Sequence, residues 1–135
     1  MKISDTSKAQ IQKHSQRIFF VLAWALLISI IIQVYLAGMA IFLDGSFWKK
    51  HEAFVRIFEF IPALMYIFGS AGGIPQKYKA WSMMLFLLCN LQYYTPYGWM
   101  GPIHTVSALG IFMISLYVAW GSYQFVSKQR KEGYS

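Results

Sequence analysis

Four apolar blocks separated by short polar links constrain the fold of this chain more than any other feature. The first, residues 18–43, holds no charged side chain and is long enough to cross a bilayer core of roughly 30 Å as a helix. Further blocks cover about residues 53–71, 80–97 and 102–126. With 57% hydrophobic and 13% charged residues, a water-soluble fold would expose too much apolar surface. The sequence therefore predicts an all-α, polytopic membrane protein with a single membrane domain over residues 1–135.

The links between the blocks predict how the helices are arranged. Residues 44–50, 72–79 and 95–101 form short connections rich in proline, glycine and charge. Because short connections favour antiparallel neighbours, we expect an up-down-up-down four-helix bundle. A polar leader, residues 1–17, and a polar tail, residues 127–135, flank the bundle. The long first block behind this leader predicts a retained span, since a cleaved signal has a shorter apolar core.

The distribution of basic residues predicts the orientation of the bundle. Nine fall at the end that carries both termini: Lys2, Lys8, Lys13, Arg17, Lys77, Lys79, Lys128, Arg130 and Lys131. Three fall toward the other end: Lys49, Lys50 and Arg56. The positive-inside bias then places both termini in the cytoplasm. The net charge of +7 does not indicate a nucleic-acid partner, because these residues form no patch interleaved with aromatic side chains.

Two histidines are the candidate ligands of a bound group. His51 and His104 lie at the starts of the second and fourth blocks. In the predicted bundle these two helices are diagonal and run in the same direction, so both imidazoles lie at one depth. On a helical wheel, His104 shares its face with small side chains that favour an inward orientation. Neutral imidazole ligates iron, so the pair is a candidate metal site; alternatively, both rings lie at the membrane surface among lipid headgroups.

Other polar residues fall in the same outer half of the predicted bundle. Gln33 and Asn90 are candidate cofactor-binding neighbours of the histidines, or they simply hydrogen-bond between helices. Glu59 is a candidate proton relay, or it pairs with Arg56, which is spaced to meet Glu52 as well. The single cysteine, Cys89, lies within an apolar block and is predicted to be a small buried hydrophobic residue.

Three segments carry a resemblance to known membrane proteins. QVYLAGMAIF at residues 33–42, WKKH at residues 48–51 and PIHTVSALGIF at residues 102–112 resemble a family of small bacterial four-helix membrane proteins of unassigned function. The layout also resembles one half of haem A synthase and, more loosely, the cytochrome b561 type. The resemblance implies a bacterial plasma-membrane protein that holds haem b between His51 and His104. This chain departs from those proteins because it has only one histidine pair. One pair can form a site near one membrane surface but cannot form an electron path across the membrane.

Two classes of function remain open from the sequence. A haem b protein would act in electron transfer or haem handling, with a quinone or another redox partner. A non-enzymatic module would instead be an accessory subunit of a larger complex, a homo-oligomer or a binder of a small molecule or lipid. The sequence has no nucleophile elbow, no phosphate-binding loop and no HExxH pair, and it does not decide whether the protein is an enzyme.

Overall fold

The computed structural model describes residues 5–132, and this part of the chain is helical with no β-strand. Five α-helices follow one another: α1 (Asp5–Phe42), α2 (Phe47–Phe58), α3 (Ile61–Ala71), α4 (Gln76–Leu91) and α5 (Gly101–Glu132). Two 3₁₀ turns, Gln92–Tyr94 and Gly98–Met100, join α4 to α5. The predicted all-α class is confirmed. Met1 to Ser4 of the leader, including Lys2, and the last three residues of the tail lie outside the described residues.

Three stretches of the described chain are long and apolar enough to cross a membrane: Asp5–Phe42, Phe47–Ala71 and Gly98–Lys131. They contain the first, second and fourth predicted blocks. The third block, predicted as residues 80–97, differs, because its helix ends at Leu91 and has 16 residues. That length corresponds to about 24 Å. Pro96, which cannot continue a helix, follows in the turn.

Helix α1 extends well beyond the predicted first span. It begins at Asp5, so residues 5–17 of the predicted leader continue the same helix. Gln16 in this extension is 7% exposed, and its Nε2 donates a hydrogen bond of 2.9 Å to the Gly72 carbonyl at the end of α3. This bond satisfies a buried backbone acceptor at a helix end. The first helix is therefore tied to the third near this end of the molecule.

A proline produces the break between α2 and α3. Pro62 lies in the first turn of α3, where its fixed φ suits a helix start. It has no N–H to donate to the Phe58 carbonyl one turn earlier, so the helical ladder is interrupted at Glu59 and Phe60. The break changes the surroundings of Glu59, which becomes a helix-end residue.

The turn between α1 and α2 is held by hydrogen bonds to the Asp44 side chain. The backbone N–H and the hydroxyl of Ser46 both donate to the Asp44 carboxylate, at 2.9 and 2.8 Å. These hydrogen bonds to the ionised form lower the pKa of Asp44. These bonds hold the turn between the two helices.

The helices enclose a continuous apolar core. Helix α1 packs against α2, α3 and α5, while α4 packs against α3 and α5. Fully buried side chains from four helices meet in the core: Phe19, Leu26, Met65, Leu85 and Val118. The outer surface is also apolar, with exposed fractions of 61% at Val21, 71% at Val106 and 62% at Leu109. An exposed apolar surface of this extent is typical of helices that face lipid.

Candidate functional site

The two predicted histidines lie close together, near the start of α2 and the start of α5. Their ring centroids are 6.5 Å apart, with ring planes inclined at 54°. His51 lies in the second turn of α2 and His104 in the first turn of α5, and both are half-buried. Helix α5 packs mainly on α1 and α4, so the imidazoles meet across the interior. The structure thus brings together two residues separated by 53 positions in the sequence.

His51 is fixed by reciprocal hydrogen bonds with Gln33 on α1. Its Nδ1 lies 3.0 Å from the Gln33 carbonyl oxygen, while the Gln33 Nε2 donates 2.9 Å to the His51 carbonyl. Because a carbonyl oxygen only accepts, the proton of the neutral His51 ring is on Nδ1. The remaining nitrogen, Nε2, then has a free lone pair. Trp48 packs edge-on against the ring at 5.6 Å and limits its rotation.

His104 is fixed by the turn that follows α4. Its Nδ1 lies 3.2 Å from the hydroxyl of Thr95, which is 2% exposed. That hydroxyl also lies 3.4 and 3.3 Å from the backbone and side-chain oxygens of Gln92, which accept its single proton. In the tautomer with the proton on Nδ1, His104 donates to Thr95 and the lone pair of its Nε2 is free. Gln92 Nε2 donates to the His104 carbonyl at 3.3 Å, which ties the turn to α5.

The two imidazoles, as the only protein donors among the described residues, suit a metal whose other ligands belong to a bound cofactor. Two imidazole nitrogens bound to one ion place their ring centres about 6 Å apart, close to the observed separation. Anchoring of the second ring nitrogen to a carbonyl or hydroxyl is typical of metal-binding histidines. In residues 5–132, however, no group of three or more His, Cys, Asp or Glu side chains surrounds a common point. Two imidazoles would supply two ligands to an ion, whereas a tetrahedral zinc site needs four.

Of the other predicted site residues, one contacts the histidine pair and one does not. Gln33 contacts the pair, and its Oε1 is buried without a hydrogen-bond partner. Asn90 donates 2.8 Å to the Phe86 carbonyl one turn back on α4, so its described hydrogen bond lies within its own helix. Cys89 is buried, as predicted. The small-residue face of α5 below His104 is interior, with Ser115 and Ser122 at 1% and 0% exposure.

The charge cluster on α2 differs from its predicted form. Within the described part of the chain, the Arg56 guanidinium forms no ion pair within 4.0 Å with Glu52 or Glu59. Glu59 instead accepts a hydrogen bond from the Tyr93 hydroxyl.

Thr95 is a site residue that the sequence did not predict, since it was expected only to begin the connection at residues 95–101. It contacts His104 because the two 3₁₀ turns fold the segment after α4 back over the start of α5. The available signal was a small polar residue before Pro96, which favours a turn at this point. Nothing in the sequence gave the direction of its hydroxyl.

Comparison with known proteins gives one similarity. Residues 33–96 are similar to a family of unknown function (DUF6220), and this region covers slightly less than half of the chain. It includes Gln33, His51 and Thr95 but ends before His104. No curated protein and no solved structure matches the chain. The comparisons support the resemblance to a family of unassigned function and provide no link to haem A synthase or cytochrome b561.

Proposed function

We propose that the protein is an integral membrane haem b protein that acts in electron transfer or haem handling, with His51 and His104 as the axial ligands. The observation that carries the proposal is the 6.5 Å separation of the two rings, each held through Nδ1. When bound between these imidazoles, haem would supply one-electron redox chemistry. Gln33 and Thr95 hold the two imidazoles in place, and Trp48 packs against one of them.

The proposed setting is an up-down-up-down bundle in a bacterial plasma membrane. Gln16, in the first half of α1, bonds to Gly72 at the end of α3. Gln33, in the second half of α1, bonds to His51 near the start of α2. These contacts support an antiparallel arrangement of α1 and the α2–α3 pair. The bonds between Gln92 and His104 support the same for α4 and α5. The exposed apolar side chains support lipid contact.

The proposed orientation places both termini in the cytoplasm and the histidines near the outer face, on the basis of the basic residues. A cysteine introduced at the exposed Ser46 should react with a membrane-impermeant maleimide added to intact cells, while one at the exposed Gln10 should react only after lysis. The buried Cys89 provides a low background. The reverse labelling pattern would contradict the orientation.

The absorption spectrum tests the haem proposal directly. Protein produced with ample haem should show a Soret band and the reduced-minus-oxidised bands of six-coordinate, bis-imidazole haem, at about one haem per chain. A colourless protein under these conditions would overturn the proposal.

The hydroxyl of Thr95 supplies a prediction that concerns the positioning of His104. We expect Thr95→Val to lower haem affinity about 10-fold to 100-fold, because His104 loses the partner of its Nδ1 while the shape of the side chain is retained. Thr105→Val is the matched control, since Thr105 is exposed and its hydroxyl bonds to Gly101 on its own helix. Haem titration of both variants provides the measurement. Equal affinities would remove Thr95 from the site.

A non-enzymatic membrane module is the second candidate, and the reciprocal bonds between Gln33 and His51 favour it. Hydrogen bonds of this kind also hold membrane helices together in the absence of a ligand. In this case the polar cluster would stabilise packing, and the apolar outer surface would bind another subunit, a second copy or a lipid. Co-purification of a stoichiometric partner with a colourless protein would support this candidate.

A further inference from the structure

A carboxylate and a phenol meet at the break between α2 and α3. Glu59 Oε2 accepts a hydrogen bond of 2.5 Å from the Tyr93 hydroxyl, which links the break to the turn after α4. Glu59 is half-buried and Tyr93 is 39% exposed. Glu59 follows His51 by eight residues, or about 12 Å along a helix. In the proposed membrane setting this pair therefore lies at the depth of the bilayer core, where an ionisable side chain is costly and usually functional.

The Glu59 carboxylate can accept more hydrogen bonds than the described residues donate to it. An ionised carboxylate has two oxygens and about four lone-pair positions. Among residues 5–132, Tyr93 is its one hydrogen-bond partner, and Arg56 does not form an ion pair with it. Glu59 can therefore accept a further hydrogen bond from a ligand that approaches through the bilayer.

The residue after Glu59 is aromatic and packs on α4. Phe60 follows Glu59 directly and packs against Phe86 of α4, with ring centroids 6.3 Å apart and planes inclined at 40°. Phe60 is 60% exposed, so one side of its ring is open to lipid. Exposed aromatic rings beside a donor and an acceptor suit a flat ligand ring that carries oxygen substituents.

We propose that Glu59, Tyr93, Phe60 and Phe86 form a laterally open site for the headgroup of a membrane-dissolved quinol or quinone. A quinol hydroxyl donates to Glu59 Oε1 while Tyr93 keeps its hydrogen bond to Oε2, whereas a quinone carbonyl replaces Glu59 as the acceptor of the single Tyr93 proton. In both cases the ring packs on Phe60. The isoprenoid tail of such a ligand stays in the lipid. Use of the ligand as a redox partner rests on the proposed haem function, whereas binding does not.

The test is equilibrium binding of tritiated ubiquinone-1 to the purified protein in lipid nanodiscs, with empty nanodiscs as the blank. The native protein should bind it saturably, at about one molecule per chain. Glu59→Gln and Tyr93→Phe should each raise the Kd about ten-fold or more, because the first replaces a charged acceptor by a neutral amide and the second removes the hydroxyl. Phe60→Ala, at an exposed position, should also weaken binding and provides a readout if either polar variant fails to fold.

Matched controls lie at neighbouring positions. Glu52→Gln changes an exposed carboxylate on α2, and Tyr94→Phe changes a phenol that is 77% exposed, so both should bind ubiquinone-1 as the native protein does. Absence of saturable binding, or equal Kd values for Glu59→Gln and Glu52→Gln, would overturn the proposal.

The same assay separates this site from the haem site. A His51→Ala variant should retain its affinity for ubiquinone-1, because His51 does not contact the proposed headgroup position. A colourless protein that binds ubiquinone-1 would contradict the haem proposal alone. A haem-containing protein that does not bind it would contradict the quinone site alone.

Discussion

Replacement of either His51 or His104 by alanine should lower the haem content per chain about ten-fold or more, because each substitution removes one of the two axial ligands. Absorbance at the Soret maximum, divided by protein concentration, provides the measurement. Free imidazole added at millimolar concentration should restore part of the band by occupying the vacated position. Such recovery would show that the missing side chain acted as a ligand.

The matched control for both variants is His14→Ala. His14 is exposed on the α1 extension, far along the helix from Gln33, so its removal should leave the haem content unchanged. If the histidines only stabilise packing, His51→Ala should instead lower the thermal unfolding temperature and leave absorbance unaffected. The expected destabilisation is about 1 kcal/mol, since the Gln33 carbonyl loses its partner. An unchanged Soret band in both variants would exclude them as ligands.

Replacement of Gly121 by alanine should destabilise the fold by up to about 2 kcal/mol. A Cβ at Gly121 would lie 2.2 Å from Cε1 and 2.3 Å from Cζ of Tyr78. Tyr78 is 7% exposed at the start of α4 and also packs against Tyr117, so its ring cannot move away freely. Overpacking of this kind typically costs about 1–3 kcal/mol, which outweighs the helix preference of alanine over glycine, about 1 kcal/mol. Thermal or denaturant unfolding in detergent measures the change.

Gly110 provides the matched control on the same helix. A Cβ at Gly110 meets nothing within 4 Å, so Gly110→Ala should be neutral or stabilising by up to about 1 kcal/mol. The double variant Gly121→Ala with Tyr78→Leu should be less destabilised than the sum of the single variants, because the smaller side chain clears the new methyl group. Equal stability of the Gly121→Ala and Gly110→Ala proteins would refute the close contact between α4 and α5.

Much of the architecture could be predicted from the pattern of apolar residues. The uncharged run over residues 18–43 and the proline-containing links predicted helices of the observed class and order. The helical wheel of α5 predicted the buried face that contains Ser115 and Ser122. The end of α4 at Leu91 was not predicted, because the apolar pattern of the sequence continues beyond this residue. The backbone after Leu91 forms 3₁₀ turns instead. The break at Glu59 required recognition of an effect from Pro62 three residues later.

The candidate site, too, could be predicted only in part from the sequence. His51 and His104 were predicted to share a depth, because imidazoles at the starts of two helices with the same direction must lie near one end of a bundle. Their separation of 6.5 Å depends on helix packing, which the sequence pattern does not specify. Asn90 shows the opposite result, since a polar residue near the correct end of α4 bonds to its own helix.

The sequence by itself determined the helical class, the apolar surface and the presence of two histidines near one end, since these follow from periodicity, charge and the positions of proline. Only the tertiary structure decided which ring nitrogens are free, because that depends on the Gln33 carbonyl and the Thr95 hydroxyl, which lie on other segments. It also decided that Glu59 meets Tyr93 rather than Arg56. Side-chain partners at distances of about 3 Å are fixed by the packing of whole helices, and local sequence does not encode that packing on its own.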